Sequence, residues 1–131
     1  MSNHNYSKDI KMTILEFIAD LRDNVFTNPI DQGDLDLIQF FFKKLSDHDI
    51  SNHVVQHILP YKTEIRDRNV EFFIKKKNEI FKGLPQDRVN YFVNLVKTPE
   101  PQGGLSDEDR EAAWCYFDTL LTLSEKYKKD K

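Results

Sequence analysis

Residues 106–127 read "SDEDREAAWCYFDTLLTLSEKY". Ser106, followed three positions later by Asp109, resembles a capping box, the signature of a helix start. Asp107, Glu108 and Asp109 stand where the helix dipole favours anions, and Lys126, Lys128 and Lys129 stand at the opposite end. Between them Ala113, Trp114, Phe117, Leu120, Leu121 and Tyr127 fall at helical spacing. The stretch predicts a long amphipathic helix whose apolar stripe needs other helices to cover it.

The neighbouring segments supply those helices. "KTPEPQGG" at 97–104 is a plain loop, and before it Val89, Phe92, Val93 and Val96 give a short helix over 86–97. The stretch 64–81, "EIRDRNVEFFIKKKNEIF", predicts one further helix, with Thr63 or Asp67 as its cap. Gly83 and Pro85 mark its end. Ile50, Val54, Val55, Ile58 and Leu59 form a stripe that stops before Pro60. Towards the start, Ile10, Ile14, Phe17, Ile18, Leu21 and Val25 form another, with Ser7 as its cap and "FTNP" as its stop. The helix between, with Asp34 as cap or first-turn acid, buries Leu35, Ile38, Phe41, Phe42 and Leu45. Leu37 and Phe40 widen its apolar face beyond one stripe, which implies a central helix or one that meets a partner. No segment alternates with hairpin turn chemistry. The expectation is an all-α, compact single-domain bundle of five to six helices over 8–128, with flexible ends at 1–7 and 129–131.

Composition agrees with a folded domain. The chain has 131 residues, 39% apolar and 31% charged, including ten Phe, five Tyr and one Trp. A net charge of −3 gives no global attraction to nucleic acid or anionic lipid. Charge is uneven, however: residues 51–97 hold nine basic and five acidic side chains between two acidic flanks. The single cysteine, Cys115, rules out an intrachain disulfide and suits a reducing compartment. No apolar run reaches the roughly 18 residues of a membrane span, so the reading is a soluble protein with no membrane partner.

Chemistry-bearing motifs are few. His53 and His57 in "HVVQH" lie four apart on one helical face, the geometry of two metal-binding imidazoles. Val54 stands where a hydrolytic zinc site needs glutamate, and no third ligand is evident. The pair is therefore expected on the solvent side of its helix, and no metal or cofactor is expected. Cys115, in mid-helix between Trp114 and Tyr116, is expected to be a buried small hydrophobe. Phosphate-binding glycine motifs and a nucleophile elbow are lacking, so the chain reads more as a non-enzyme than an enzyme. The basic segment 62–82 offers Arg66, Arg68, Lys75 and Lys76 to a nucleic acid. Lys75, Lys76 and Lys77 nevertheless fan over roughly 200° of a helix, and Phe73, Ile74, Ile80 and Phe81 have the spacing of a buried face. Phe72 alone is spare for stacking.

Several phrases carry a resemblance: "FIADL" (Phe17 to Leu21), "IRDRNVEFF" (Ile65 to Phe73), Leu84–Pro85 leading to "VNYF" (Val89 to Phe92), and "LSDEDREAAWCYFDTL" (Leu105 to Leu120). In this order the chain resembles small, largely uncharacterised helical proteins of giant nucleocytoplasmic large DNA viruses. It departs from them at Val25 to Pro29, "VFTNP", where those proteins often carry a Thr-Phe-Pro-Glu turn. The resemblance implies a viral protein of the host cytoplasm or the virion, and transfers no catalytic residues. Together with the apolar residues off the main stripes, Leu37, Phe40, Phe72 and Tyr116, the expected function is a non-enzymatic protein-interaction or self-association module. A nucleic-acid-binding accessory protein using 62–82 is the alternative, and an enzyme whose site is invisible in sequence is a further one.

Overall fold

The computed structural model describes residues 5–130, apart from the side chain of Asp130. The helices are α1 (Tyr6–Asp20), α2 (Pro29–Lys44), α3 (Asp47–His57), α4 (Lys62–Arg66), α5 (Val70–Lys75), α6 (Lys77–Ile80), α7 (Gln86–Lys97) and α8 (Asp107–Asp130). No strand occurs among the described residues, and the chain forms the expected all-α bundle. Residues 1–4 and Lys131, expected to belong to flexible ends, lie outside the described residues. Tyr6 and Ser7, assigned to the same N-terminal segment, are already helical, as are residues 129 and 130.

The caps explain where most helices begin. Ser106 accepts from the Asp109 amide at 3.1 Å, as its spacing predicts. Ser46 does the same for Asp49 at 3.0 Å. At α1 the cap is Asn5 rather than Ser7: Asn5 Oδ1 accepts from the Lys8 amide at 3.1 Å. Ser7 is buried and donates its own hydroxyl to Asn5 at 2.7 Å. α2 also starts earlier than expected, because Asn28 accepts from the Ile30 amide at 2.8 Å and Pro29 takes the first helical position. There the missing N–H of proline costs nothing. Asp34 is consequently interior to α2.

The single helix expected over 63–82 is broken into α4, α5 and α6. Arg68 adopts φ +58°, a left-handed conformation that ends α4. Asn69 then restarts the chain by accepting from the Phe72 amide at 3.0 Å, so neither Thr63 nor Asp67 is the cap.

α8 spans 24 residues, roughly 36 Å at helical rise, and packs along α1 and against α3 and α4. The core seam is aromatic. Phe73 meets Phe117 edge-on at 5.3 Å and Trp114 at 5.4 Å, while Phe17 meets Phe117 edge-on at 5.7 Å. These are the offset geometries that the ring quadrupole favours. All six apolar residues named for α8 are buried, as are the four named for α7. Cys115 is the exception in this helix: it is exposed, not buried, because it faces away from the side that meets α1.

α1 does not end cleanly. Residues 21–25 form a π-turn closed by the Phe26 amide donating to the Leu21 carbonyl at 2.7 Å. The wider turn precedes Phe26, which is buried with its ring 5.2 Å from that of Tyr91.

Candidate functional site

α2 packs chiefly on α1 and on the π-turn, and polar tethers hold much of its length. Lys11 of α1 donates to the carbonyls of Lys43 and Leu45 at 2.8 and 2.7 Å, satisfying acceptors that a helix C-terminus leaves open. Gln39 donates to the Leu15 carbonyl at 3.2 Å, and Gln32 to the Arg22 carbonyl at 3.1 Å. Arg22 pairs with Asp36 at 2.6 Å. From α7, Arg88 reaches Asp31 at 2.5 Å and Asp34 at 3.2 Å.

Behind these tethers lies a cavity of about 360 Å³. Ile14, Ile18 and Leu21 line it from α1, and Leu35, Ile38 and Phe42 from α2. Val54 and Ile58 contribute from α3, and Leu84 and Val89 from the turn before α7 and its first residues. The lining side chains are apolar except for Asp49, His53, Lys82 and Arg88. A sequence that otherwise seats its aromatics closely leaves this space where α2 stands off from α3.

The cavity's ionisable groups differ in how they are occupied. Arg88 is shared between Asp31 and Asp34. His53 is half-buried, and desolvation followed by the charge of His57 pushes its imidazole below the ordinary 6.5. The Ile80 backbone opposes that shift. Lys82 is exposed and makes no ion pair among the described residues.

The two histidines do not lie on the solvent side as expected. The chain from Glu79 to Lys82 covers that face of α3: His57 Nδ1 meets Glu79 Oε2 at 2.5 Å, and the two imidazole centroids are 4.7 Å apart. Among the described residues, no group of three or more histidine, cysteine or acidic side chains comes together in a metal-binding arrangement.

The four apolar residues read as surplus are not brought together. Leu37 and Phe40 are 69% and 57% exposed on α2, joined there by Ile30 at 74% and Phe41 at 53%. Phe41, expected in the core, sits at the edge of the stripe, lining the cavity with one side and meeting water with the other. Tyr116 instead stacks on Phe17 at 4.8 Å, and Phe72 packs edge-on against Tyr61 at 5.4 Å.

The basic residues are partly spoken for. Arg66 donates to Glu125 at 2.7 Å and holds that carboxyl below its usual range. Arg68 reaches Asp118 at 2.8 Å and Glu111 at 3.1 Å, with its guanidinium 5.6 Å from the Trp114 ring. Lys76 lies 5.8 Å from the Tyr61 ring, and Lys75 is exposed.

The cavity and the roles of Lys82 and Arg88 escaped the reading by periodicity. Its nearest signal was the run Phe40–Phe41–Phe42, too apolar for one stripe. Among the described residues no helix is long and apolar enough to cross a membrane. Comparisons with known protein families, curated proteins and solved structures find no match.

Proposed function

We propose that this chain is a non-enzymatic helical interaction module of a large DNA virus, acting in the host cytoplasm or the virion, which presents the outer face of α2 to a protein partner. One observation carries the interaction reading. Ile30, Leu37, Phe40 and Phe41 are each more than half exposed on a single helix. Burying such side chains against a partner returns about 1.5–3 kcal/mol each, whereas scattered exposed apolar residues return nothing. An amphipathic helix offering anchors at this spacing suits a hydrophobic groove on another protein. The viral attribution is supported by the resemblance carried from Phe17 through Leu120.

The test is recovery of partners from infected cells by the wild type and by the Leu37→Ser/Phe40→Ser double variant, with and without nuclease. Protein partners that survive nuclease and are lost with the variant, at unchanged Tm, are the expected result. Partners retained by the variant would remove the α2 face from the account. Loss of every partner on nuclease treatment would transfer the function to the basic segment 62–82.

A further inference from the structure

We propose that the cavity beneath α2 is a binding site for a single-chain amphiphile with an anionic head, a fatty-acid-like carboxylate, with its tail among Ile14, Ile38 and Phe42 and its head at Lys82. The inference rests on the cavity and is independent of the outer face of α2.

Volume sets the ligand's size. An apolar cavity of about 150 Å³ already stays dry and takes up a benzene-sized guest, and this one holds about 360 Å³. It therefore has room for an alkyl tail, for which dodecanoate serves as the probe. Pockets of this size and lining are those that enclose small organic ligands.

Charge sets the head group. Of the two cations in the lining, Arg88 is neutralised by Asp31 and Asp34, although its buried Nε makes no hydrogen bond. Lys82 has no carboxylate partner among the described residues and is the natural counter-ion for an incoming one. The lining carboxylate, Asp49, stands exposed on the first turn of α3, where the helix dipole offsets its charge. His53 adds no negative charge to oppose an anionic head.

Geometry supplies the mouth. Phe41 lines the cavity while remaining 53% exposed, so its ring marks the boundary between cavity and solvent. Lys82, also in the lining, is exposed as well, so an acidic head can meet it at the mouth while the tail enters.

The experiment titrates the full chain with dodecanoate, dodecanol and dodecyltrimethylammonium below their micelle concentrations, by calorimetry and native mass spectrometry. Saturable one-to-one dodecanoate binding is expected, with the other two compounds weaker by about tenfold, the scale of one charge-assisted contact. Lys82→Gln should weaken dodecanoate by a similar factor, leave dodecanol unchanged and leave Tm unchanged. Ile38→Trp, which fills the cavity, should abolish binding. Should that variant fail to fold, affinity across octanoate, dodecanoate and hexadecanoate decides instead: it should rise to the middle member and then level off. No dodecanoate binding, equal binding of acid and alcohol, indifference to Lys82→Gln, or unsaturable uptake at many sites would each overturn the proposal.

Discussion

His53 couples the cavity to pH. Its imidazole is depressed below 6.5 first by desolvation and then by His57, opposed by the Ile80 backbone and Glu79, with a last, smaller lowering from Lys82. In the unfolded chain the same group takes a proton near 6.5. Between the folded and unfolded values the unfolded state therefore binds more protons, and stability rises with pH. The contribution is fully present above 6.5, is lost as pH falls through 6.5 towards the folded value, and levels off below it. Urea unfolding between pH 7.5 and pH 5 should show this loss for the wild type and a shallower one for His53→Gln. Equal slopes for the two proteins would show that the ring carries no buried, neutral imidazole. The other singular residue, Arg68, contributes differently. Its left-handed backbone costs about 1–2 kcal/mol for a side chain with a Cβ, and its guanidinium offsets that by clamping Glu111 and Asp118 of α8. Arg66 likewise ties this segment to Glu125 of α8. The sequence placed the cap at Thr63 or Asp67 because nothing in a non-glycine residue announces a positive φ.

Among the elements, α2 combines a stable-looking sequence pattern with thin support. Gly33 lies inside it, and a Cβ there would meet nothing within 4 Å. Glycine in a helix interior loses more backbone entropy on folding than alanine, worth about 0.5–1 kcal/mol. Gly33→Ala is therefore expected to stabilise the protein by about that amount, read as a rise in the urea midpoint with unchanged m-value. A fall in stability would mean that α2 bends at Gly33 in the working molecule. Elements were legible in proportion to how local their determinants are. α7 and α8 could be read with their buried faces, because the stripe and the Ser106 cap of α8 lie within each segment. α2 was placed several residues late because Pro29 was read as a stop, although proline at a first helical position is also a start. The break between α4 and α5 and the covering of His53 and His57 by residues 79–82 are settled by tertiary contacts, which a period of 3.6 does not encode.

At the scale of the whole molecule, two regions with different cohesion share one chain. α1, α3 and α8 enclose a continuous core in which Ile10, Val54 and Leu121 are wholly buried, and α5 and α7 add the Phe73 and Phe92 rings to it. α2 joins that core through Leu35, with Ile38 and Phe42 packed against it, and is otherwise fixed at the core's edge by Lys11, Gln32, Gln39, Arg22 and Arg88. The cavity was illegible in the sequence because it belongs to the spacing between helices and to no residue. Stability in such an arrangement is not uniform, since an element with few buried apolar contacts opens without the rest. Hydrogen exchange should accordingly show the amides of α2 exchanging well ahead of those in the middle of α1 and α8, which open only with global unfolding. Gly33→Ala should slow α2 while leaving α8 unchanged. Added dodecanoate should do the same if the cavity is its site, because the ligand bridges α2 to α1 and α3 and must leave before the helix can open. Protection of α2 equal to that of α8 in the free protein would refute the division, for it would require more packing than Leu35, Ile38 and Phe42 give a helix whose Ile30, Leu37, Phe40 and Phe41 are exposed.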